Sequence, residues 1–149
     1  MSINVLLIGD VVGKPGRCAV SGLLPGLKRE FEIDLVVANV ENATNGRGVS
    51  LRHAEEMLSC GVDVMTSGNH IWDKREALDY IGIEPRLLRP LNYPAGAPGN
   101  GSYVARTAAG VSVGVVNAMG RVFMLNIDDP FAGVLKELEK VRQRARIVF

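Results

Sequence analysis

The chain has 149 residues, 47% hydrophobic and 22% charged, which is the make-up of one ordinary domain with a single core. Seventeen Lys and Arg against sixteen Asp and Glu give a formal charge of +1, which excludes a strongly basic nucleic-acid coat or an acidic tail but leaves room for a local patch. No stretch approaches the ~20 apolar residues of a membrane span. Residues 1–4 carry no basic leader, and Cys18 and Cys60 are too few for a disulfide framework, so a reducing cytoplasm is the expected compartment.

Three short apolar runs, residues 5–8, 35–40 and 62–65, are continuous and rich in Val, Ile and Leu, as strands buried on both faces of a parallel sheet are. After the first, Val20, Leu23, Leu24, Leu27 and Phe31 recur at helical spacing, with Pro25 and Gly26 predicting a kink or two short helices. A second helix is expected from Ser50 as N-cap, with Leu51, Ala54, Met57 and Leu58 inward and Gly61 as its stop. A third is expected from Asp73, with Glu76 completing a capping box, to Gly82. Strand and helix alternating in this way predict right-handed βαβ units. Residues 90–101, PLNYPAGAPGNG, read as a loop, and residues 102–106 and 111–116 flank TAAG as an antiparallel hairpin. A last helix starts at Asp129-Pro130 and places Phe131, Val134, Leu135, Leu138 and Val141 on one stripe, with its charged side read as a solvated face. Residues 145–149, ARIVF, read as the opening of a buried strand.

The polar residues that follow the three parallel strands carry the chemistry. The first strand ends in Gly9-Asp10, the second in Glu41-Asn42, the third in Ser67-Gly68-Asn69-His70. Parallel strands point the same way, so these groups gather along one carboxyl edge, where such sheets bind ligands. Hard oxygen donors with one imidazole suit a divalent cation such as Mn, Fe or Mg; the competing reading makes them helix caps and turn formers. His70 at that edge can ligate a metal or protonate a leaving group. A phosphate-binding loop is excluded, because only three residues separate Gly9 from Gly13 and Pro15 stands where the hydroxyl belongs; no G-x-G-x-x-G follows the first strand either. His53 reads as a surface residue, Cys18 and Cys60 as small buried hydrophobes, and Trp72 and Tyr93 as packing residues.

GDVVGKPGR at 9–17, ENATNGRG at 41–48, SGNHIWDK at 67–74, RPLNYPAGAPGNGS at 89–102 and NAMGRVFM at 117–124 together resemble the YmdB-like branch of the calcineurin-like metallophosphoesterases, in order and over essentially the whole chain. The resemblance implies a four-layer α/β/β/α sandwich and a dinuclear centre of Fe or Mn, with Mg allowed, that hydrolyses phosphodiesters. Cyclic nucleotides, 2′,3′ or 3′,5′, are the implied small-molecule substrates; an RNA end and a homo-oligomer stay open, and no membrane partner is implied. By the same resemblance Asp10, Glu41 and Asn42 hold one metal, Glu41 bridges, Asn69 holds the second, and His70 is the proton donor to the leaving oxygen. The family also uses three further histidines, which His53 and His70 cannot all replace. Residues 1–149 are therefore expected to be a metallophosphoesterase domain incomplete at its C-terminus, and the alternative is a non-catalytic nucleotide-binding, regulatory or assembly module with an incomplete metal site.

Overall fold

The computed structural model describes residues 2–149. Its first sheet holds β1 (Val5–Ile8), β2 (Leu35–Asn39) and β3 (Val64–Thr66), all parallel, in the order β1-β2-β3. Residues 86–88 run beside β3, with Met65 N donating to Arg86 O and Leu88 N to Met65 O, both at 2.8 Å. The strands advance in one direction, so right-handed crossovers bring α1 (Gly13–Glu30), α2 (Leu51–Ser59) and α3 (Arg75–Ile83) onto the same face. Val36 and Ala38 of β2 meet Leu24, Met57, Ile71 and Ile81 there, all of them buried. Residues of opposite parity, Leu35 and Val37, face the other way and pack with Val113 and Val115.

Those two valines belong to the second sheet, β4 (Ser102–Arg106), β5 (Ser112–Val116) and β6 (Ile147–Val148), in which β4 runs antiparallel to β5 and β6 parallel to it. Gly114 points away from the first sheet, and Val141 of α4 (Pro130–Val141) occupies the space its Cβ would need. A side chain there would push α4 off the sheet. The hairpin and the strand at 147–148 stand where the sequence predicts them.

Local capping explains two helix starts. Ser50 Oγ accepts from His53 N at 3.3 Å and Asp129 Oδ1 from Phe131 N at 2.8 Å, each satisfying an otherwise unpaired helical N–H. Elsewhere the structure corrects the sequence reading. Helix α1 is one continuous element with Pro25 inside it, because the carbonyl that Pro25 leaves without a donor belongs to exposed Ser21, which water can serve. Leu23 and Phe31 are exposed, and only Val20 and Leu24 of that stripe are buried. Phe131 and Leu135 of α4 are exposed in the same way, since the sheet covers less of the helix than its apolar stripe offers. Asp73 does not cap α3, whose N-cap is Lys74 without a side-chain bond; Asp73 instead accepts from Arg47 Nε at 2.6 Å. A 3₁₀ turn over Asn69–Trp72 fills the gap between β3 and α3. Cys18 is exposed on α1, so it is not a core residue. No helix among the described residues is long and apolar enough to cross a membrane.

Candidate metal centre

The three strand ends meet as their direction predicts. Asp10 leaves β1 with φ +43°, a left-handed conformation uncommon outside glycine. From there its Oδ1 accepts from Asn42 Nδ2 at 2.7 Å. The other end of the same amide, Asn42 Oδ1, lies 2.6 Å from His70 Nδ1. An amide oxygen can only accept, so Nδ1 carries the ring hydrogen and Nε2 is the nitrogen left to exchange a proton. Asn42 thus links residues separated by 32 and 28 positions in the chain.

Glu41 completes the cluster from below. His70 N donates to Glu41 Oε2 at 3.3 Å, and His70 Nδ1 stands 4.0 Å from the same oxygen. Gly68 leaves the room: a Cβ built at 68 would lie 2.5 Å from Oε2 and 2.6 Å from Oε1. Asn39 Oδ1 accepts from Glu41 N at 3.3 Å, holding the start of the segment. Asn69 opens the 3₁₀ turn half-buried, and no hydrogen bond joins its side chain to the others among the described residues. The structure therefore brings Asp10, Glu41, Asn42 and His70 into one bonded cluster, with Asn69 beside it.

The segment that carries Glu41 and Asn42 is clamped from behind. Buried Arg17 donates Nη1 to Ala43 O at 2.6 Å and Nε to Glu56 Oε2 at 2.9 Å, so α1 and α2 both hold it. His53 is not the free surface residue that its place on α2 suggests. Its Nδ1 lies 2.8 Å from Thr44 Oγ1 and 3.0 Å from Ser50 Oγ, and burial, aided by the Arg17 charge, lowers its pKa. Trp72 and Tyr93 pack edge to face with centroids 5.2 Å apart, as packing residues do. Arg17 and Asn117 lie outside the three parallel strand ends, and their places inside the motifs GDVVGKPGR and NAMGRVFM are their only signal; Gly68 stands at the third strand end, but the space it leaves for Glu41 is not marked there.

The donor chemistry fits a hard cation: two carboxylates, one amide and one imidazole, with a carboxylate seated where glycine backbone gives it space. Among the described residues no three His, Cys, Asp or Glu converge to hold an ion. A family model described as "YmdB-like protein" matches residues 6–149. The chain belongs to the YmdB-like family. It is 38% identical over 148 residues to a 2′,3′-cyclic-nucleotide 2′-phosphodiesterase of Bacillus subtilis, covering 99% of this chain and 55% of that protein. Among solved structures, a hypothetical protein from Thermus thermophilus superposes with a TM-score of 0.85 at 42% identity, over 91% of this chain and 52% of that one. A structure titled as a novel phosphatase from Mycoplasma pneumoniae gives 0.84 at 36% identity, over 95% and 52%. The YmdB-like chain described here spans about half the length of these relatives.

Proposed function

We propose that this YmdB-like chain contributes the carboxylate-and-amide side of a metal-dependent phosphodiesterase, with small phosphodiesters, 2′,3′-cyclic nucleotides first and 3′,5′-cyclic nucleotides second, as substrates. The single observation that carries the reading is the bonded cluster Asp10–Asn42–His70 with Glu41 beneath it at the carboxyl edge. Asp10, Glu41 and Asn42 would hold one ion, Glu41 would be shared with a second, and Asn69 would serve that second ion. Fe or Mn is the proposed metal, and Mg is compatible with the same carboxylate and amide oxygens. Bound cations supply Lewis-acid polarisation of the phosphoryl group.

The residues of the chain do the rest. Asn42 orients His70 through Nδ1, so that Nε2, when it too is protonated, can pass that proton to the oxygen released as water attacks phosphorus and the P–O bond breaks. A neutral amide at 42 brings an oxygen without adding negative charge, so the site keeps its attraction for a phosphate. The burial pattern on both faces of the two sheets, with helices outside each, supports the four-layer α/β/β/α arrangement of the metallophosphoesterases.

Metal analysis together with hydrolysis of 2′,3′-cyclic AMP tests the reading. Binding of Mn²⁺ or Fe and turnover that falls in Glu41→Ala are expected; no bound metal, or activity unchanged in that variant, overturns it. That no three His, Cys, Asp or Glu converge among the described residues favours a second reading, a nucleotide-binding or assembly module without turnover. Metal binding without hydrolysis by the 149-residue chain supports that one.

A further inference from the structure

We infer that Asn117 is a positioning residue for the site, setting the course of residues 67–70 and thereby the placement of Asn69 and His70. The inference rests on the reading of those two as site residues. Asn117 follows β5 and is buried, and its Nδ2 donates to Ser67 O at 2.8 Å and to Leu88 O at 3.2 Å. Both amide hydrogens are thereby used. Ser67 Oγ donates to the same Leu88 oxygen at 2.7 Å, which closes the knot. The backbone of Asn117 is held too: its N donates to Gly101 O at 2.9 Å and its O accepts from Leu91 N at 2.8 Å. The amide cannot drift while those bonds stand.

The carbonyl that Asn117 grips lies two residues before Asn69 and three before His70. Between them is Gly68, which has no side chain to fix its own direction and whose backbone lies against the Glu41 carboxylate. Anchoring Ser67 O therefore sets where the segment meets Glu41 and where His70 N reaches Glu41 Oε2. Asn92 is the matched comparison. It is also buried, donating to Met119 O at 2.9 Å and Asp128 O at 3.0 Å and accepting from Met119 N at 3.1 Å, but its side chain ties only residues 119–128.

The experiment uses NMR of the metal-free chain together with Mn²⁺ affinity. With only two histidines, His70 and His53 give separable ring signals, and His53 serves as an internal reference. Asn117→Ala and the isosteric Asn117→Asp, which cannot donate, are expected to shift and broaden the His70 ring and the Asn69 and His70 amides. Mn²⁺ binding should weaken about tenfold, as loss of an outer support typically does. Asn92→Ala should lower thermal stability yet leave both readouts in place. An unmoved His70 ring with unchanged Mn²⁺ affinity in folded Asn117→Ala overturns the inference, as does an equal response to Asn92→Ala. Wild-type chain that binds no Mn²⁺ overturns the metal reading instead, while the His70 ring still decides the role of Asn117. A variant that does not fold leaves the wild-type measurement: Asn117 side-chain hydrogens exchanging at least a hundredfold more slowly than those of exposed Asn126 support the inference, and equal rates overturn it.

Discussion

The Glu41 carboxylate fills the space in which a side chain on Gly68 would begin, with both of its oxygens within 2.6 Å of that position. Gly68 has φ −133°, so its need for glycine is one of space and not of backbone strain. Gly68→Ala is expected to drive Glu41 aside while the fold survives, since the atoms that must yield end a flexible side chain. Mn²⁺ affinity should drop ten- to a hundredfold, the usual effect of disturbing a ligand's support. Isothermal titration against wild type checks it, and an unchanged affinity would place Glu41 outside the metal sphere.

Among the described residues Asn42 alone is hydrogen-bonded to both Asp10 and His70, so its removal separates them. Asn42→Leu keeps the volume and loses both hydrogen bonds. Because Asp10 is exposed, stability should fall by only about 1 kcal/mol, whereas the proposed cyclic-nucleotide hydrolysis should fall far more steeply. Urea unfolding and a turnover assay on the same preparation separate the two effects.

Arg17 supports the site from inside α1. Arg17→Met leaves Ala43 O without its donor and Glu56 without its partner, and should cost about 2–3 kcal/mol, as lost bonds to a charged group do. The midpoint in urea is the measurement. A loss below about 0.5 kcal/mol, the scale of surface changes, would show that the clamp carries no weight.

His53 should make stability depend on pH. Burial first and the Arg17 charge next lower its pKa; Glu56 opposes them, and Arg52 and then Glu76 add smaller effects that lower and raise it. The unfolded chain therefore binds its proton first as pH falls through the ordinary histidine value of about 6.5, and the folded state loses stability there. That loss stops growing once pH passes below the lower folded-state value, and none is present well above about 6.5. Urea unfolding at pH 7.5 and 5.5 should show a smaller difference in His53→Gln than in wild type; equal differences would rule out His53 as the source.

The candidate site was legible in the sequence because it depends on one simple fact, the direction of parallel strands. Asp10, Glu41, Asn42 and His70 each follow an apolar run, so naming the strands names the edge where they collect. Helix starts at Ser50 and Asp129 were legible for a related reason: the cap and its N–H lie two or three residues apart. The inward side of a helix was less so. Spacing marked Leu23, Phe31, Phe131 and Leu135 as part of an apolar stripe, but how much of a stripe is covered depends on the width of the sheet beneath it.

What the sequence by itself determined was the family, the strands and helices, and which residues end the strands. Only the tertiary structure decided that Gly68 makes room for Glu41, that Asp73 pairs with Arg47 instead of capping α3, and that Asn117 holds Ser67. The physical reason is distance along the chain. Caps and turns close within a few residues and leave local marks, whereas the bonds that join Asp10 to Asn42, His70 to Asn42 and Glu41, and Asn117 to Ser67 span 28 to 50 positions. Such bonds form only after strand order and sheet packing have brought their partners together.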